Sequence, residues 1–208
     1  MIDDTAIERE LRAAAAAREG RHPLPDLGEA AATAGLLDVA YATLDSPLGT
    51  LLLARTDRGL VRLAYADFEG EDEVIAELAS RISPRVLAVA RKLDEVRREL
   101  DQYFTGSRHE FDVPIDWQLT HGFGRRVLRA TARIPYGAVS SYKQVAAAAG
   151  SPRGSRAAGN ALGANPIPIV VPCHRVLHSG GGLGGYTGGI ERKRLLLDVE
   201  RDSSPGAE

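Results

Sequence analysis

The chain has 208 residues, 44% hydrophobic and 26% charged, with a formal net charge of −2 and one cysteine, Cys173. That is enough chain to bury a core as one medium domain or two small ones, and the composition is ordinary for a globular protein in water. It excludes an internal disulfide framework and a Cys-x-x-Cys zinc pair, and the apolar runs fall far short of the ~20 residues of a membrane helix.

The first twenty residues open with acids where a secretory leader would carry positive charge, so a cytoplasmic, reducing location is expected, in which a thiol stays free. Residues 1–36 read as an alanine-rich helical extension. Thr5 with Glu8 fits a capping box for a helix over 5–18, "GRHPLPDLG" breaks it, and "EAAATAGLL" suggests a second short helix. Packing or interaction is the default role of this segment.

From residue 38 the pattern changes. "DVAYATL", "TLLLAR" and "LVRLAYA" are strand-like runs separated by the turn formers "DSPLG" and "TDRG", which predicts an antiparallel meander. "EDEVIAELASRI" and "SPRVLAVARKLDEVRRELDQYF" read as amphipathic helices, and "FDVPIDW" returns to extended chain. These make a first unit over 37–116.

A second unit spans 117–203, with a tail at 204–208. "FGRRVLRATARI" is helical and "PYG" ends it. "SSYKQVAAAAG" predicts a helix starting near Ser140 or Ser141 and stopping at Gly150. "SPRGSRAAGNALG" predicts another, with Pro152 in its first turn. Two short helices joined by a tight turn make a helix-turn-helix candidate. Small residues on its second helix (Ala157, Ala158, Gly159) suit close approach to a DNA backbone, and equally suit tight helix packing. "NPIPIVVP" reads as extended chain, "HSGGGLGGYTGG" as a flexible loop, and "GIERKRLLLDVE" as a terminal helix.

The net charge hides an asymmetry. Residues 1–110 hold 21 acidic against 14 basic side chains, whereas residues 111–208 hold 7 against 12. Between Asp116 and Glu191 there is no acid, while Arg125, Arg126, Arg129, Arg133, Lys143, Arg153, Arg156 and Arg175 all fall there. Such a half points to a polyanionic partner.

Cys173 lies in "PIPIVVPCHRVLHSGGGLGGYTGG", beside His174 and Arg175. A free thiol is mostly protonated at neutral pH, so a nucleophile needs a base or a positive environment. On extended chain His174 would point away from the sulfur, which favours a water-relayed base over a direct ion pair. The bland reading is that free cysteines are usually buried and inert. The glycine run lacks the Lys-Ser/Thr of a phosphate loop and the strand-to-helix setting of a dinucleotide site.

This segment, together with "IPYGAVSSYKQVAAAAGSPRGSRAAGNALGANP", closely resembles the O6-alkylguanine–DNA alkyltransferases, or methylated-DNA–protein-cysteine methyltransferases. The likeness runs over 37–201, weakly in the first unit and strongly from Phe123. It implies an α/β (α+β) fold: an antiparallel, ribonuclease-H-like sheet domain, then a mainly helical, winged-helix-like domain carrying the cysteine. It implies DNA repair in one turnover, with O6-alkylguanine (and O4-alkylthymine) flipped from duplex DNA and its alkyl group moved irreversibly to the protein. Cys173 resembles the accepting thiol, His174 the residue that deprotonates it through water, Glu200 the carboxylate orienting that histidine, and Asn165 the residue holding the turn. Tyr142 and Arg156 resemble the residues that rotate the nucleotide and fill its place in the stack, on a DNA-binding face with Ser141, Ala157 and Gly159. The alkylguanine pocket would be lined by Tyr142, Cys173, Val176, Tyr186 and Thr187, with the carbonyls of Cys173 and Val176 reading the base.

The resemblance implies no cofactor, no metal, no membrane, and a monomer acting on double-stranded DNA. Zinc, carried by some relatives in the first unit, is not expected, because that unit has no cysteine. Trp117 and His121 are given a structural role at the join, and His22, His109 and His178 a solvated or packing one. Two other classes compete with this reading: a signalling module that binds alkylated DNA without transfer, and a Cys-His hydrolase. The first is disfavoured by the presence of Cys173, and the second leaves the acid-free, arginine-bearing helix pair unexplained.

Overall fold

Three strand-like apolar runs form the expected meander: β1 (Val39–Ser46), β2 (Gly49–Thr56) and β3 (Gly59–Tyr65). In the computed structural model, which describes residues 27–202, these strands pair antiparallel in register Leu44↔Leu51 and Leu53↔Leu63. The helix expected over 5–18 and the tail lie outside the described residues. The chain divides into two units at Leu37–Asp38. In the first, a short helix α1 (Leu27–Thr33) forms where "EAAATAGLL" predicts one.

The sheet of the second unit has the order β3-β2-β1-β4, with β4 (Val86–Ala88) parallel to β1. This corrects one expected helix. "SPRVLAV" holds a strand, then a tight turn at Ala90–Leu93, and only then α4 (Asp94–Phe104). A short apolar run fits either period, and pairing of Val86 with Val39 decides it. Two helices precede β4: α2 (Ala66–Glu69) and α3 (Glu71–Arg81), the latter burying Val74 and Leu78 on one face of the sheet.

β3 is an edge strand, yet every residue in it is buried. Later chain covers it: Leu60 N–H donates to Pro114 O at 2.8 Å, Asp116 N–H to Leu60 O at 2.8 Å, and Leu63 N–H to Pro166 O at 2.9 Å. The edge is thereby satisfied. Gly59 makes this possible, since its φ is +138° and a Cβ there would collide with the Pro114 carbonyl. The same pairing fixes Pro166, the start of the cysteine-bearing turn, against the sheet.

The helical part comprises α5 (Gly122–Thr131), α6 (Tyr142–Ala148), α7 (Ser155–Gly163) and α8 (Ile190–Asp202). Ser141 caps α6 through a capping box with Gln144, which satisfies two otherwise orphaned amides. α6 and α7 form the expected pair, and α7 packs on α5 as well as α6. Pro152 falls in the connecting turn, not in the first turn of α7, which begins at Ser155. β5 (Ser140–Ser141) pairs in parallel with β6 (Val176–Leu177) and so places the capped start of α6 beside the cysteine segment. The result is the mixed fold expected, a sheet part followed by a helical part. One apolar core runs from Leu51 and Leu63 through Val127 and Ala158 to Cys173 and Leu196.

Candidate active site

"NPIPIVVP" is a compact turn, not extended chain. Val171 N–H donates to Ile167 O at 2.9 Å and Val170 N–H to Pro168 O at 2.9 Å, with Ile169 between them at φ +73°. A β-branched residue in that region costs on the order of 1–3 kcal/mol and persists only where its surroundings impose it. Asn165 supplies the constraint: its Oδ1 accepts from Ile167 N–H at 3.1 Å and its Nδ2 donates to Val171 O at 2.9 Å. The same Nδ2 lies 3.2 Å from Cys173 Sγ. Cys173 then opens a tight helical turn, Cys173–Arg175, so the chain bends where extended geometry was considered.

His174 and Glu200 are fully buried together. His174 Nε2 and Glu200 Oε1 are 2.7 Å apart, and Tyr103 O–H donates to the same oxygen at 2.7 Å. Arg175 Nε donates to Oε2 at 2.9 Å, its Nη2 to Oε1 at 2.8 Å, and Gly137 N–H to Oε2 at 3.1 Å. Burial alone would raise the Glu200 carboxyl, but the hydrogen bonds from His174 and Arg175 and their charges outweigh it and hold it at about 2. An ionised Glu200 fixes the proton of His174 on Nε2. Nδ1, buried with no hydrogen-bond partner, is left as an acceptor. Burial lowers the His174 pKa, so the ring is neutral at pH 7 and able to take a proton.

The thiol itself is pushed up to about 11 by burial, against the Asn165 amide and the Lys193 charge, which both lower it. At rest it is a thiol, and a base is needed to ionise it. Lys193 is fully buried and donates to the carbonyls of Val176, at 2.7 Å, and Leu183. Its burial lowers it to about 8. Sequence reading missed Lys193 and Tyr103, whose placement depends on helices far from the cysteine in the chain. It gave "PYG" no role at the cysteine site beyond ending a helix. Arg175 in fact donates to Ile134 O at 2.5 Å and lies over the Tyr136 ring, so this segment supports the Glu200 cluster.

Cys173 faces a cavity of about 730 Å³, within the range of small-ligand sites. Of the residues the resemblance gives to the alkylguanine pocket, Tyr142, Tyr186 and Thr187 line it with Cys173 and Val176 does not; Arg156 and Gly159, which it gives to the DNA-binding face, line it too, as do Phe68 and His178. Gly159 brings α7 against the Tyr142 ring, and a Cβ at Gly184 (φ +69°) would strike the Tyr142 hydroxyl, so this loop glycine lets the chain close over that side chain. His178 packs on the Tyr142 ring at 5.1 Å, and Thr187 Oγ1 donates to Gly163 O at 2.9 Å. Val176 is fully buried and its carbonyl is engaged by Lys193, while Ala157 sits exposed on α7. Ser141 serves as the cap of α6.

The acid-free span presents Arg126, Arg129, Arg133, Lys143, Arg153 and Arg156 to solvent, whereas Arg175 is internal and serves Glu200. Trp117 sits under the Arg129 guanidinium, and His109 stacks on Tyr136 at 4.2 Å. Among the described residues no group of three or more His, Cys, Asp or Glu is placed to hold a metal ion, and no helix is long and apolar enough to cross a membrane.

Two family profiles match the chain. The ribonuclease-like domain of 6-O-methylguanine DNA methyltransferase covers residues 39–117, and the DNA-binding domain of the same family covers residues 122–202. A methylated-DNA–protein-cysteine methyltransferase of Mycolicibacterium paratuberculosis is 42% identical, over 81% of this chain and 96% of its own length. The constitutive enzyme of that name from Bacillus subtilis is 37% identical, over 78% and 96%. The crystal structure of Mycobacterium tuberculosis OGT in complex with DNA superposes with a TM-score of 0.68 at 39% identity, over 80% of this chain and 95% of that one.

Proposed function

The chain belongs to the 6-O-methylguanine DNA methyltransferase family, it repairs DNA by alkyl transfer to a cysteine of its own, and we propose that Cys173 is the acceptor, driven by the His174–Glu200 pair. The observation that carries this is the ring polarity of His174. Glu200 holds the proton on Nε2 and leaves Nδ1 as the free basic nitrogen in the turn that opens at Cys173.

The M. tuberculosis relative was solved in complex with DNA, and we place duplex DNA against α6 and α7 of this chain. Phosphates are met by the exposed cations of the acid-free span. The alkylated guanine cannot react inside the stack, so it leaves the duplex at a cost of a few kcal/mol. Arg156, exposed on α7 at the cavity lining, fills the gap. In the cavity, a water relays the Cys173 proton to His174 Nδ1 and the sulfur attacks the alkyl carbon. The C–O6 bond breaks, its electron pair stays with guanine, the Tyr142 hydroxyl at the cavity wall passes its proton to the base, and the proton taken up by His174 returns through water to Tyr142, so that both side chains end neutral. Burial raises the Tyr142 pKa and keeps that hydroxyl protonated. The product is a thioether, which nothing in the reaction reverses, so each molecule acts once.

The thiol held near 11 fits this order of events, because the resting protein keeps a neutral sulfur and ionises it only through its base. A Cys-His hydrolase would need an imidazole bonded directly to the sulfur, whereas here Asn165 holds the sulfur and the Nε2 of His174 faces Glu200. A single free thiol fits a reducing compartment, and we place the reaction in the cytoplasm.

The experiment is single-turnover methyl transfer from O6-methylguanine duplex by His174→Gln. Loss of the base lowers the rate about 100-fold or more while Cys173 remains present. A rate near that of the unaltered protein would remove His174 from the mechanism.

A further inference from the structure

Phe68, on α2, is the most exposed large apolar side chain among the described residues, 61% accessible, yet its ring lines the same cavity as Cys173. Its neighbours are locked on both sides. Asp67 Oδ2 accepts from Arg192 Nη2 at 2.5 Å, which ties α2 to the first turn of α8, directly after the glycine loop. Glu69 accepts from Arg62 Nη2, and Arg62 Nη1 also donates to Pro166 O at 3.2 Å, which ties α2 to the cysteine-bearing turn. A short helix held at two points presents its one aromatic ring at a fixed place in the cavity wall.

From this geometry we propose that Phe68 forms an apolar subsite for the distal part of bulky, aryl-bearing O6 substituents, and so sets which alkyl groups are accepted. The inference rests on Cys173 being the alkyl acceptor. A cavity of about 730 Å³ is larger than a purine carrying one methyl requires, and Phe68, Leu162 and Tyr186 give it apolar wall. Charge decides what reaches the ring. Phe68 stands in "ADFEGEDE", among Asp67, Glu69, Glu71, Asp72 and Glu73. That run repels a phosphate backbone, which is drawn instead to the cationic helical face. An uncharged substituent on an extruded guanine meets no such barrier, and an aromatic ring edge or face adds to apolar contact.

The test compares single-turnover rates on two duplexes of identical sequence, one carrying O6-methylguanine and one O6-benzylguanine. In Phe68→Ala the benzyl-to-methyl rate ratio falls about five- to tenfold, the loss of one aromatic contact, and Phe68→Leu restores part of it. Because Phe68 is exposed, both variants keep the fold, which their melting temperatures verify. A ratio within about twofold of wild type overturns the subsite, within the uncertainty of one contact energy. A ratio that rises, through slower methyl repair alone, also overturns it and places Phe68 against DNA. Failure of the unaltered protein on both duplexes would instead sink the acceptor reading on which the subsite depends.

Discussion

The hydroxyls of Tyr65 and Tyr186 are 2.8 Å apart, across 121 residues of chain. Tyr65 ends β3 and is fully buried, while Tyr186 sits in the glycine loop and lines the cavity that Cys173 faces. Burial raises the pKa of both, so each keeps its proton and one can donate to the other. The Arg192 guanidinium lies over the Tyr65 ring at 4.6 Å and also donates to Gly188 O at 2.9 Å. A loop with seven glycines over residues 180–189 gains its position from the sheet.

Tyr65→Phe therefore leaves the Tyr186 hydroxyl without this partner. An unpaired polar group in such a place costs about 1–3 kcal/mol. The melting temperature should fall by several degrees, and methyl transfer should slow as the loop loosens. Unchanged melting and rate would show that the hydroxyl pair does not hold the loop.

Acid should weaken the fold in two stages. His174 is held below its ordinary 6.5 by burial, so the unfolded chain binds a proton there that the folded chain refuses, and stability drops as pH falls below 6.5. Glu200 is held at about 2 against an ordinary 4.5, so its contribution is complete above 4.5 and is lost between 4.5 and 2. Melting followed from pH 8 down to 3 should show both declines, and Glu200→Gln should flatten the second. The alkyl-transfer rate should stay level to below pH 6.5 and fall only when His174 itself takes a proton. A rate that halves at the ordinary imidazole value would contradict the buried, neutral ring.

Arg156→Ala should separate base extrusion from chemistry. Repair of duplex O6-methylguanine should fall by about tenfold or more, given an extrusion cost of a few kcal/mol. Reaction with free O6-benzylguanine, which needs no extrusion, should change far less. Equal losses on the two substrates would count against the gap-filling role. Duplex binding should weaken steeply with added salt, since phosphate contacts release counterions, and a flat response would mean that the cationic face meets something else.

What the sequence disclosed was local. The start of the helix near Ser141 and the meander are each written in a few consecutive residues, where short-range geometry leaves little choice. The "VLAV" strand was misread because four apolar residues carry no period, and only the register with β1 settles them. "NPIPIVVP" was misread because proline excludes a helix without distinguishing extended chain from a tight turn held by Asn165.

The remaining site residues are distant in sequence. Tyr103 reaches Glu200 from α4 across 97 residues, Arg62 reaches Pro166 across 104, and Phe68 enters the cavity from α2. No spacing rule connects such positions, and packing alone brings them together. Lys193 had a local signal, a lysine in the apolar "RKRLLL" helix three residues before Leu196, but charge on a helix normally reads as solvent-facing.

The most direct measurement is the mass of the Cys173 peptide after the protein has repaired an O6-methylguanine duplex, beside a Cys173→Ala control. The mechanism requires one added methyl on that peptide, one per molecule of protein, with the control inert. Repair that runs to completion with the Cys173 peptide unmodified, or repair by the control, would contradict it.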